Sequence, residues 1–162
     1  FSSAGKSIRF RESDVRSVGR TAIGVRGIRL AEKDSVVSLI VAESDDPILT
    51  ATEKGYGKRT QLDEYRAQAR GGSGVISIKT SDRNGQVVGA IQVTDEDEMM
   101  LISDKGTLVR ARASDVSIIG RNTQGVTLIN IADDEALVSV AKIAETEDDE
   151  DDSEEVSESS EK

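Results

Sequence analysis

Arginine is the side chain with which this sequence could do chemistry. Its 162 residues include no histidine and no cysteine. Imidazole bases, triads built on them, thiol nucleophiles and the usual zinc ligand sets are therefore excluded. What recurs instead is a guanidinium at fixed intervals. Arg9, Arg59 and Arg110 are 50 and 51 residues apart, each four residues past a glycine at Gly5, Gly55 or Gly106. Arg20, Arg70 and Arg121 keep the same intervals, each four residues ahead of a Gly-Val pair that begins at Gly24, Gly74 or Gly125. An acid recurs in step at Asp14, Glu64 and Asp115. A guanidinium is always charged, and its planar fork matches a carboxylate or a phosphate. The chemistry on offer is the recognition of anions.

The two sets divide between binding and bracing. Side chains alternate along a strand, so in "SIRFR" Ile8 and Phe10 face one way while Arg9 and Arg11 face the other. Arg110 and Arg112 repeat this against Val109 and Ala111; in the middle unit Arg59 shares a face with Gln61, with Lys58 and Thr60 behind. A lone cation on a strand is usually a charged edge that blocks strand addition. Three in register predict more, a row of solvent-facing charges along which successive phosphates are neutralised. The candidate contacts are Arg9, Arg11, Arg59, Arg110 and Arg112, with Lys6, Lys58 and Lys105 near the turns. Arg70 and Arg121 join them from a polar loop, where pairing with the acid six residues earlier is an equally good reading. "RGGSG" (70–74) resembles a phosphate-cradling loop, but it lacks a Lys-Ser/Thr pair and runs into strand residues. A nucleotide site there is rejected. With two Phe, two Tyr and no Trp, stacking platforms for single strands are too few. A bound nucleic acid is expected to be duplex, held by its backbone and shape.

Agreement at several offsets marks an internal repeat of about fifty residues, and its strands are what must position these cations. The middle copy reads "ILTAT" (48–52), a turn at "EKG", alternating "GKRTQ", a polar stretch and "VISIKT" (75–80). An Asn-Gly hairpin signal in "DRNG" then precedes "QVVGAIQV" (86–93). The last copy matches it with "MMLIS", "TLVRAR", "VTLINIA" and "ALVSVAKI", whereas the first offers "SIRFR", "GIRLA" and "VVSLIVA" and lacks an opening strand. Four strands per unit predict an all-β fold of propeller-like blades. Residues 1–46 form an incomplete blade, 47–94 and 95–143 complete ones, with Pro47 at a boundary where a strand start tolerates it. Three units are too few to close a ring, so the chain reads as part of a longer array.

Charge is unevenly placed. Of 31 acids and 21 bases, eleven acids and one base fall in 144–162, which leaves 20 of each in the body. The terminal segment "ETEDDEDDSEEVSESSEK" cannot bury apolar surface and is expected to be a disordered tail. No run approaches the length of a membrane span.

Taken together, "GRNTQGV" (120–126), "TEKGYGKRT" (52–60) with "GVISIK", and "SDKGTLVRARASDVS" (103–117) resemble the C-terminal domain of the bacterial DNA gyrase A subunit over essentially the whole chain. The related domain of topoisomerase IV is the near alternative. The resemblance implies a β-pinwheel of four-stranded blades whose basic rim wraps duplex DNA, within an enzyme that supercoils DNA at the expense of ATP. Its partners would be duplex DNA, the remainder of the gyrase A protein and the gyrase B protein, in the bacterial cytoplasm with the nucleoid and away from membranes. ATP and Mg2+ would be held by the partner protein, with no cofactor in this piece. "QARGGSG" (68–74) looks like a degenerate echo of the family's DNA-wrapping box, with Ala69 and Ser73 at two of its cationic positions. Tyr56 and Tyr65 match no catalytic position of the family, so this stretch alone would not cleave DNA. A protein-interaction propeller is the competing class, yet only Gly71-Gly72 forms the paired glycine such blades repeat.

Overall fold

The computed structural model describes residues 1–143, and the acidic tail expected over 144–162 lies outside the described residues. The architecture is all-β. In chain order the strands are β1 (Lys6–Ser7), β2 (Ile48–Thr52), β3 (Tyr56–Thr60), β4 (Val75–Ile76) and β5 (Val87–Gln92). They continue with β6 (Glu98–Ser103), β7 (Leu108–Arg112), β8 (Val126–Thr127) and β9 (Leu137–Lys142). Single 3-10 turns at Glu12–Asp14, Leu62–Glu64 and Ala113–Asp115 repeat at the sequence interval. No helix among the described residues is long and apolar enough to cross a membrane.

Within the middle unit, β2 and β3 form a hairpin with Leu49 opposite Arg59, and β5 adds antiparallel to the other side of β2 with Leu49 opposite Ile91. The last unit repeats this as β7-β6-β9. The repeat in the sequence predicts all four strands of a blade inside one unit. Instead, the fourth comes from the next unit: β8 pairs with β3 through Gly57 and Val126, completing the order β5-β2-β3-β8. In the same way β4 of the middle unit pairs with β1 of the first. Beyond these short ladders, parallel bridges join Arg9 to Ala67 and Arg59 to Ile118. Each unit therefore lays a loop and a strand along the outer edge of its predecessor.

The core sits between units. Ile48 and Leu49 are adjacent on β2 and point to opposite faces of the sheet. Ile48 enters a cluster with Leu62, Tyr65 and Ala90 that takes in Phe1 and Ile40 of the first unit. Leu49 enters the larger one, with Met99, Leu101, Val116, Leu137 and Val140 of the last unit. All five residues of β2 are buried, which is why "ILTAT" reads as a continuous apolar and β-branched run. In the first unit, "GIRLA" and "VVSLIVA" do not form the strands expected of them. Beside the second of these, Val37 N bonds Phe1 O (3.0 Å), Ser3 N bonds Ser35 O (2.8 Å) and Ala90 N donates to Ser38 Oγ (2.9 Å), isolated contacts that form no ladder.

The repeated glycines make the overlap possible. Gly125 sits at φ 83°, and a Cβ there would stand 2.6 Å from Gly57 O of the preceding unit. Gly24, its equivalent, has φ 86° but meets nothing within 4 Å. Any other residue would be strained at either φ by roughly 1–2 kcal/mol. Gly24→Ala should therefore cost about that much, whereas Gly125→Ala should cost at least about 2 kcal/mol more, because β8 would be pushed off β3. Denaturant midpoints of the two variants test this, and equal losses would contradict it.

Candidate nucleic-acid interface

Carbonyls in and just past the 3-10 turns of the middle and last units meet the first set of arginines. Arg9 Nη1 donates to Leu62 O (3.0 Å) and Tyr65 O (3.4 Å) of the following unit. One unit on, Arg59 Nε donates to Val116 O (2.8 Å) and its Nη1 pairs with Asp95. Arg59 is only 4% exposed. Lys58 is fully buried, its Nζ donating to Gly120 O (2.6 Å), Arg121 O (2.7 Å) and Thr123 Oγ1 (3.1 Å). The expected solvent-facing cations at Lys58 and Arg59 are thus turned inward. The physical reason is that the next unit covers this edge of β3, which single-strand alternation could not anticipate. Arg110 is exposed and pairs with Glu98 on the neighbouring strand.

The second set braces in the opposite direction. Arg70 Nε donates to Asp14 O (2.9 Å) and Nη1 to Arg26 O (3.0 Å), while Arg121 Nη1 donates to Ile76 O (2.9 Å). Arg26 and Ile76 are equivalent positions, so this is one bond made twice. The acid partner also crosses units: Arg121 N donates to Glu64 (3.2 Å), and its guanidinium lies 4.0 Å from the same carboxylate. The reading in which Arg121 pairs with Asp115 of its own loop is therefore corrected. In the "RGGSG" loop, Gly71 N bonds Gly27 O and Gly74 packs on Ser7 O. Gly72 O also accepts from Arg29 N (2.8 Å), so the loop is tied to the first unit.

Of the remaining candidates, Lys105 pairs with Asp134 at 2.8 Å. Lys6, Arg11 and Arg112 are exposed, and none of them is among the ion pairs of the described residues. Sequence reasoning missed Asn84 of "DRNG". It is fully buried and holds the turn, with Nδ2 donating to Lys79 O (2.8 Å) and Gln124 O (3.1 Å). The Asn-Gly signal marked the turn, but the hairpin expected around it does not form, since β4 pairs with β1 and β5 with β2. Tyr65 is core: its ring meets Phe1 edge-on at 5.7 Å, its hydroxyl bonds Ser77, and burial raises its pKa. Tyr56 lies beneath the Arg83 guanidinium, 4.7 Å from the ring centre.

The family model described as DNA gyrase C-terminal domain, β-propeller, matches residues 1–43, 46–94 and 97–144. The DNA gyrase A subunit of Klebsiella oxytoca is 61% identical over 145 residues, and that of Escherichia coli strain K12 is 59% identical over the same length. Both matches cover 90% of this chain, which spans 17% of the length of either relative. Among solved structures, a DNA gyrase A C-terminal domain superposes with a TM-score of 0.82 at 33% identity, covering 88% of this chain and 49% of that one. A C-terminal domain of DNA topoisomerase IV superposes with a TM-score of 0.81 at 26% identity, covering 88% and 45%.

Lys58 gives this interface a pH signature. Burial lowers its pKa from 10.5 to about 8, against the pull of Glu64 and helped by Arg121. Between those values the unfolded chain holds a proton that the folded one has shed, so folding stability rises with pH across that window. The gain should be about 2–3 kcal/mol by pH 10.5. Lys58→Met should remove that alkaline rise, measured as the difference between the two proteins in chemical unfolding from pH 7.5 to 10.5. Parallel curves would contradict it.

Proposed function

Because the chain belongs to the DNA gyrase C-terminal domain family, we propose that it is the part of a gyrase A subunit that binds and wraps duplex DNA. The observation that carries this reading is a sorting of cations. The buried and braced arginines hold units together, while Lys6, Arg11 and Arg112 stay exposed on or beside the hairpin strands, outside the ion pairs of the described residues. Arg11 and Arg112 occupy the same register in their own units, each just ahead of the 3-10 turn. Cations repeated along an array suit a polymer of regularly spaced phosphates and do not suit a small ligand. Wrapping on such a surface would impose a handed crossing on the DNA passed through the break. That links this part to ATP-dependent negative supercoiling by the assembled type II topoisomerase in the bacterial cytoplasm. ATP and Mg2+ belong to the partner protein in this reading.

The corresponding domain of topoisomerase IV is the second reading. The two solved domains superpose almost equally well, so the fold does not separate them; identities of 33% against 26% favour gyrase. A protein-interaction propeller would need no such exposed cations.

The test is duplex binding by the full-length protein across a range of salt. Each phosphate contact adds about 0.9 to the slope of log affinity against log salt. Replacing Lys6, Arg11 and Arg112 together with glutamate should make that slope shallower by about 3. Binding without salt dependence, or none at all, would contradict the proposal.

A further inference from the structure

Three columns of cations run through the first two units and stop at the third. Arg16 and Arg66 occupy the first, Arg29 and Lys79 the second, Lys33 and Arg83 the third, and all six are exposed. For Arg29 and Lys79 the equivalence is structural as well as numerical. Arg29 N bonds Gly72 O and Lys79 N bonds Thr123 O, the same bond one unit apart (both 2.8 Å). Arg66 and Ser117 each precede the residue that bridges to the outer hairpin of the unit before, Ala67 to Arg9 and Ile118 to Arg59. The columns border the outermost strands: Lys79 follows β4 by three residues, and Arg83 reaches Gln124 just ahead of β8 (3.4 Å). None of the six appears among the ion pairs of the described residues.

The third unit has Ser117, Asn130 and Asp134 at these positions. Asp134 does more than omit a charge, since it pairs with Lys105 and neutralises it. Arg110 is held by Glu98, and Lys142 by Asp97 at 2.7 Å. Arg112 is the one exposed cation of this unit without an ion-pair partner among the described residues. The balance follows: residues 47–94 hold seven bases and four acids, whereas 95–143 hold five bases and nine acids.

We propose that the duplex backbone is gripped along these three columns of the first two units and is released at the third, where the unpaired Arg112 is its last contact and the paired cations and excess acids turn it away. This rests on the DNA-binding reading above and adds where the track lies and where it ends. A strip of exposed, unpaired cations is a surface at which counterion release can be harvested, whereas cations already neutralised by carboxylates release little. The polarity is thus written in ion pairs as much as in residue types.

The experiment compares three variants of the full-length protein by the salt dependence of binding to mixed-sequence linear duplex. Arg29→Glu with Lys79→Glu should make the slope shallower by about 2. Lys105→Glu with Arg110→Glu should leave it unchanged. Ser117→Arg with Asn130→Lys, which continues two columns into the third unit, should steepen it by up to about 2. Arg29 and Lys79 contribute their main-chain amides to the fold, and Arg29→Gln with Lys79→Gln checks that any loss follows charge. A steep wild-type slope that Arg29→Glu with Lys79→Glu leaves intact, or that Lys105→Glu with Arg110→Glu lowers as much, overturns the placement of the track while DNA binding stands. A wild-type protein without a salt-dependent slope overturns both.

Discussion

The exposed edge of a β-sheet is a row of unpaired N–H and C=O groups, and here the outer edges of the first and middle units are closed by the unit that follows. This single requirement organises the rest. The incoming segment must approach β3 closely, which demands a left-handed residue without a Cβ at Gly125 against Gly57 O. Its carbonyls need donors, and Arg59 and Lys58 supply them from beneath. Its side chains need a core, and Val116 and Ile129 find one with Leu49 and Leu101. No unit owns its hydrophobic cluster. An array built this way depends on nearest neighbours, as solenoid and propeller repeats do.

That dependence decides which cations remain for a ligand. A guanidinium that donates to main-chain carbonyls of the next unit is committed, and so is one that reaches back to the previous unit. Arg9, Arg59, Arg70 and Arg121 fall in these two groups. Their regular spacing records the repetition of the interlock. The spacing of the exposed cations has a different origin, since nothing in the fold requires charge at Arg29 or Lys79. Periodicity in a repeat protein therefore has two sources, and burial separates them.

Much of the fold was legible because it is local. The turn glycines, the hairpin of β2 and β3 and the strands β5, β6, β7 and β9 follow from alternation, β-branched runs and turn residues within about fifty positions. The family was legible as well, because the repeated motifs span the chain. What was not legible is which edge each outer strand joins. β4 and β8 contribute two residues apiece, and they pair Lys6 with Ile76 and Gly57 with Val126, across separations that no local signal encodes. From that one gap came the misplacement of Lys58 and Arg59: a strand expected to have one solvated face has both its faces and its outer edge covered. Lys58 shows the cost of the gap, since lysine in a strand ordinarily reads as surface.

Native-state hydrogen exchange tests the interlock most directly. Amides that bond across units, Ile119 to Arg59 O, Lys79 to Thr123 O and Leu128 to Gly55 O, should be protected to the same free energy as amides within the β2–β3 hairpin, because opening the edge opens the cores on either side. If those three exchange orders of magnitude faster while the hairpin stays protected, the units are separable blades in loose contact and the interlock is refuted.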